Sequence, residues 1–269
     1  MRNAPGRPPL PNRKVTAMAP VRLPADAELP LLRARVADLS DRALVVGDPG
    51  RAARVAERLD DVQQLTANRE YHVYSGTHRG VPVTVASHGV GAAGAAVCFE
   101  ELARGGVTRI IRSGTAGGIQ PEVVDGAIVV ATGAVRADGV SHQLVPTEFP
   151  AIATPELAVA LKAAAAKTGL EVHSGIVLTG DMFYPSDVIT GIDHRMWQRA
   201  GIVAVEMEAS ALFVIASLHG IEAGAVFAID GNPLAAKDDA MDGYDPYREI
   251  VTRAVDGALD TALDVLIAD

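Results

Sequence analysis

From Leu39 to the C-terminus, short apolar runs alternate with helix-like stretches, and most runs end in glycine or a charged residue. Parallel strands need long crossovers, and helices filling those crossovers cover both faces of a sheet. The strand-like runs cover 43–47, 108–113, 127–132, 172–178, 202–205 and 223–229, and 71–75 with 81–87 read as a hairpin around His78-Arg79-Gly80. Helical spacing covers 51–59, 92–104, 155–168 with Gly169 as its stop, and 207–219. A last helix carries the stripe Tyr247, Ile250, Val251, Ala254, Val255, Ala258, Leu259, Ala262, Leu263 and Leu266. The expectation is one α/β domain over 27–269, a three-layer α/β/α sandwich around a mixed, mainly parallel central sheet. Residues 1–26 hold Pro5, Pro8, Pro9, Pro11, Pro20 and Pro24 among five basic residues, without strand or helix period; a disordered tail is expected there, with Met18 as an alternative start.

Aromatic residues are only 4% of the chain, so the core must be built from Ala, Val, Leu and Ile. A net charge of −9 argues against a nucleic-acid-coating surface. Cys98 is the single cysteine, which excludes an internal disulfide and a thiolate zinc site, and a cytoplasmic protein is the simplest reading. The seven histidines show no metal-ligand spacing. No apolar stretch approaches the length needed to span a bilayer, and no membrane association is expected.

Ligands of α/β sheets gather beyond the carboxyl ends of strands, so the residues after each run are the candidates. Gly47-Asp48-Pro49-Gly50-Arg51 offers bare backbone and a cation at a helix start, where anions are favoured. Arg112-Ser113-Gly114-Thr115 offers a second cation with hydroxyls. Two arginines and a threonine suit a phosphate; tight turns with surface arginines are the plainer reading of either segment alone. Gly89-Val90-Gly91-Ala92-Ala93-Gly94 has the form of a dinucleotide fingerprint, which keeps an NADP-dependent reductase as a distant rival, although the next strand supplies Arg112 where an acid belongs. Glu206-Met207-Glu208 sits where a strand enters a helix: sugar hydroxyls would satisfy a carboxylate there, and so would an acidic first turn. Asp230, at the end of an apolar run, suits a general acid or a turn. Phe183 and Tyr184 suit stacking on a base or core packing, and 234–245 suits a lid.

Taken in order, GDPGR (47–51), NREY (68–71), SHGVG (87–91), EEL (100–102), IIRSGTAGGIQP (110–121), FYP (183–185), VEMEAS (205–210) and DGNP (230–233) resemble the nucleoside phosphorylase family that includes uridine phosphorylase and hexameric purine nucleoside phosphorylase. The resemblance covers about residues 29–267. It implies phosphorolysis of purine (2'-deoxy)ribonucleosides to free base and (deoxy)ribose 1-phosphate, with inorganic phosphate as co-substrate and no redox cofactor or metal. It further implies Gly47, Arg51, Arg112 and Thr115 as phosphate binders, and Arg69 as an arginine reaching a neighbouring subunit's phosphate in a hexamer, a trimer of dimers. Met207 and Glu208 match ribose contacts, Phe183 and Glu206 line the base pocket, and Asp230 assists leaving-group protonation, with Arg112 as its catalytic companion. Asp187 and Ile189 stand where uridine phosphorylases carry Gln and Arg, which favours the purine branch. The stretch 31–35 lacks the purine enzymes' 5'-hydroxyl-binding His, so a 5'-modified nucleoside stays open. Uridine phosphorolysis, nucleoside hydrolysis and non-catalytic nucleoside binding on the same fold are the alternatives.

Overall fold

The computed structural model describes residues 21–184, 193–234 and 244–268. Most of the tail, Asp187, Ile189 and nearly all of the 234–245 stretch lie outside the described residues. The chain forms a ten-stranded mixed sheet with helices packed against it. The strands are β1 (Arg42–Val46), β2 (Asp60–Asn68), β3 (Tyr71–His78), β4 (Val81–Ser87), β5 (Arg109–Gly118), β6 (Ile128–Ala137), β7 (Ala151–Ile152), β8 (Val172–Gly180), β9 (Ala204–Glu206) and β10 (Glu222–Gly231). The helices are α1 (Pro49–Ala56), α2 (Ala92–Arg104), α3 (Gly139–Leu144), α4 (Pro155–Ala165), α5 (His194–Arg199), α6 (Ala209–His219) and α7 (Glu249–Leu266).

Parallel pairings join β4 to β1, β1 to β5, β5 to β10, β6 to β8 and β8 to β9. The polar β2 adds antiparallel to β3 at the edge, and sequence reading misses it because it lacks an apolar face and is mostly exposed. The path also returns on itself: β10 pairs with both β5 and β6, while β9 pairs parallel with β8 and antiparallel with β5. That ring of strands brings the carboxyl ends of β5, β8 and β10 to one place, although they are far apart in sequence.

One apolar cluster runs from Leu29 to Leu266, made largely of aliphatic side chains with Phe99, Phe213 and Phe227. Helix α6 is buried continuously from Ala209 to Ala216, as an apolar-all-round helix must be. The stripe of α7 is buried from Val251 onward, whereas Tyr247 and Ile250 at its head are exposed. Arg54 of α1 and Arg58, two residues beyond the end of that helix, both reach Asp256 of α7 at 2.6 Å, and Arg58 also reaches Asp260, which ties down the helix whose first turn carries Arg51. Cys98 is fully buried, and desolvation raises its thiol pKa far above the ordinary value, so it is core and no nucleophile.

Candidate active site

Arg112 leaves the interior of β5, opposite Val45 of β1 and Ala225 of β10. The strand runs on to Gly118, five residues past the expected end at 113, so the glycines after Arg112 lie in ladder pairing. Gly114 has a separate use: a Cβ there would stand 2.9 Å from Nη2 of Arg112, so only glycine leaves room for the guanidinium. The guanidinium also lies 5.4 Å from the centroid of the Phe227 ring.

Arg112 is 4% exposed, and its donors are distributed among named partners. Nη2 donates to Glu208 Oε2 and lies 3.5 Å from Glu206 Oε2, and Nη1 stands 2.8 Å from Nε2 of His88. Nε is buried and has no partner among the described residues. A buried donor left unsatisfied is costly, and here it is a donor ready for an anion.

Glu206 ends β9 and Ala209 begins α6. Glu206 accepts from the amides of Glu208 and Ala209 and from Thr179 Oγ1, so both of its oxygens are occupied. A carboxylate at a helix start is favoured there by the exposed amides. Burial raises its pKa, Arg112 opposes that, and Glu208 adds to it. Its side chain is 1% exposed and lies against Arg112 and the start of α6. Glu208 is held on its other oxygen by the amide of Gly91 at 2.6 Å. Gly91 has φ +94, a conformation reserved for glycine, which aims that amide at the carboxylate. The glycine-rich motif therefore fixes a side chain, and a Cβ at Gly94 would crowd the His88 carbonyl at 3.3 Å. Neither observation calls for a dinucleotide. Met207 lies half-buried between the two carboxylates, and Gly47 packs against Gly89 and His88.

Arg51 occupies the first turn of α1, but the helix-start amides are not free for an anion, since the Asp48 side chain takes those of Gly50 (3.0 Å) and Arg51 (3.1 Å). The guanidinium is what faces the cluster. Its pKa is lowered by burial first and by Arg112 second, while Asp48 and Asp230 oppose the shift. A cation whose charged form a neighbouring cation disfavours marks a field that welcomes an anion.

Asp230 is set by a β-bulge. The β10–β5 register passes from Ile229↔Ala116 to Gly231↔Gly117, leaving Asp230 as the extra residue. Bulges re-aim side chains, and this one delivers a carboxyl that is 5% exposed. It accepts from the Tyr244 hydroxyl at 2.8 Å and from the Thr115 hydroxyl. Burial raises its pKa, with Tyr244, Thr115 and Arg51 holding the rise back. Phe183, 49% exposed, stands edge-on to Tyr244 at 5.9 Å and to Tyr184 at 5.2 Å. Sequence reading gave no role to His88 or Tyr244; the SHGVG motif marked His88, while nothing local marks Tyr244.

Arg51, Arg112, Glu208, Thr115 and Asp230 thus converge, and Phe183 joins them through Tyr244. Arg69 does not: it sits exposed in the β2–β3 turn with φ +55 and has no ion pair among the described residues. No group of metal-ligating side chains is present among the described residues, and no helix there is long and apolar enough to cross a membrane.

Residues 41–266 match the model of the Phosphorylase superfamily. The chain is 34% identical to guanosine phosphorylase of Halorubrum lacusprofundi, over 90% of this chain and 99% of that protein. It is 39% identical to uridine phosphorylase of Haemophilus influenzae, over 70% of this chain and 79% of that one. Its fold superposes on Toxoplasma gondii purine nucleoside phosphorylase, solved in complex with immucillin-H, with a TM-score of 0.83 and 32% identity, covering 89% and 95% of the two chains.

Proposed function

This chain belongs to the nucleoside phosphorylases of the Phosphorylase superfamily, and from that premise we propose that it cleaves purine (2'-deoxy)ribonucleosides with inorganic phosphate. The observation that carries the reading is the convergence of Arg51 and Arg112 beside Glu208, with Asp230 close enough to act on Arg51. In the reaction a phosphate oxygen forms a bond to C1' as the C1'–N9 bond breaks and its electron pair passes to the base. Arg51 and the free Nε of Arg112 hold the phosphate. Glu208 and Met207 hold the sugar, which is a positioning effect. Asp230 gives a proton to N7, and Phe183 stacks on the base. A carboxyl whose pKa is raised by burial suits that proton transfer, and such a transfer serves a purine. The guanosine phosphorylase likeness over nearly its whole length supports the same branch.

The charges also bear on assembly. Within one chain Arg112 is already offset by Glu206 and Glu208, and Arg51 by Asp48 and Asp230. A phosphate dianion needs a further cation, and the exposed, unpaired Arg69 is one that a neighbouring subunit can supply in a hexamer built as a trimer of dimers. Gly47 lends close backbone approach. No redox cofactor or metal enters the scheme.

A panel of inosine, guanosine, adenosine and uridine, each with and without phosphate, tests the proposal. Ribose 1-phosphate and free purine base should form only with phosphate. Uridine as the best substrate would reject the purine assignment, and turnover without phosphate would make the protein a hydrolase.

A further inference from the structure

His88 is fully buried in the loop between β4 and α2, with its ring edge-on to Phe99 at 5.4 Å. Its two ring nitrogens meet opposite demands. Nδ1 lies 2.8 Å from the carbonyl oxygen of Gly89, which can only accept, so Nδ1 carries the proton. Nε2 lies 2.8 Å from Nη1 of Arg112, which can only donate, so Nε2 must be bare. Both neighbours select the same neutral tautomer, and an imidazolium would set two donors against each other.

We propose that His88 is a positioning residue for phosphate: its bare Nε2 fixes the Arg112 guanidinium so that Nε stays turned to the anion and the whole group is not drawn onto the paired carboxylates. The proposal rests on the reading of Arg112 as a phosphate binder. Glu208 and Glu206 both pull on Nη2 from one side. His88 is the acceptor on Nη1, and with Glu208 it fixes the plane of the guanidinium. Burial, Arg112 and then Arg51 depress the His88 pKa well below 6.5, which keeps the acceptor bare at neutral pH.

The test compares His88→Leu, which removes the acceptor, with His88→Gln, which returns one near the Nε2 position. Phosphate KM, nucleoside KM and kcat are measured with the best nucleoside of the panel, together with melting temperature. His88→Leu should raise phosphate KM about tenfold or more while nucleoside KM moves less than about threefold, and His88→Gln should restore most of the loss. Equal KM values in both variants and the parent would overturn the inference, as would a parallel rise of both KM values that tracks lowered stability and is not rescued by Gln. Should His88→Leu not fold, ¹⁵N NMR of histidine-labelled protein decides, the His88 signals being assigned by their loss in His88→Gln. A neutral ring protonated on Nδ1 upholds the inference, and an Nε2–H tautomer or an imidazolium at neutral pH overturns it. Arg51→Ala separates this question from its premise: an unchanged phosphate KM there rejects the phosphate site itself, whereas normal His88 variants beside a defective Arg51→Ala reject only the role of His88.

Discussion

The two ends of the proposed site are built on different principles. At the proposed phosphate and sugar end, Arg112, His88, Glu206 and Glu208 are all nearly or fully buried, and each is held by at least two partners. At the base end, Asp230 is held by two hydroxyls, and Phe183 and Tyr244 lie partly in solvent. Charges that must stabilise a transition state gain most from dipoles fixed in advance in a dry site. An aromatic wall needs only shape, so it tolerates exposure and adjustment. On the proposed reading, the site is tightly held where charge develops and more open where the base would sit.

Four substitutions would break or sharpen that contrast. Arg112→Ala leaves Glu206 and Glu208 facing each other without a cation, so kcat/KM should fall about thousandfold and the melting temperature should drop. Steady-state kinetics and calorimetry check both, and phosphate KM should rise more than nucleoside KM. At the other end Asp230→Ala should lower kcat on purine nucleosides about hundredfold with little change in phosphate KM. An aryl riboside, whose leaving group needs no proton, should be cleaved at close to the parent rate, and an equal loss on both substrates would deny the acid role. Phe183→Ala should raise nucleoside KM about tenfold with the phosphate response unchanged, read from crossed titrations of the two substrates.

Tyr244→Phe is the mildest. The phenol donates to the Asp230 carboxylate and so favours its charged form. Proton donation requires the neutral form. Removing the phenol raises the Asp230 pKa further, so the fall of kcat on the alkaline side should move to higher pH, with only a small change at the optimum. A profile that shifts the other way, or not at all, would show that the hydroxyl does not govern this carboxyl.

Protonation should also separate the ends in stability. His88 has a folded pKa well below its ordinary 6.5. Below that value the unfolded chain binds a proton that the folded one does not, so this contribution is intact above 6.5 and is lost as pH falls. His88→Gln should therefore lose less melting temperature than the parent between about pH 7 and about pH 5.

The contrast also explains what the sequence reveals. The apolar runs of β1, β5, β6 and β10 are legible because burial on both faces imposes them. The ring of strands is not, because β9 is three residues long and its two pairings are non-local. Arg51, Arg112 and Glu208 stand out as polar residues beside apolar runs, and the motif order names them. Glu206 stands out for the same reason, yet sequence alone does not distinguish a carboxylate that holds a helix start from one that meets a ligand. Asp230 reads as a turn residue at a strand tip, since its bulge exists only through pairing with β5. Tyr244 is invisible because its partner, Asp230, lies on another element and no local pattern joins them.

The central claim is that Arg51 and the unpaired Nε of Arg112 bind inorganic phosphate next to the sugar site. A crystal structure with phosphate and a non-cleavable purine nucleoside analogue tests it most directly. The account predicts a tetrahedral anion within hydrogen-bonding distance of both guanidinium groups, with the ribose hydroxyls on Glu208. An anion bound elsewhere, with Arg51 and Arg112 touching only protein, would contradict it.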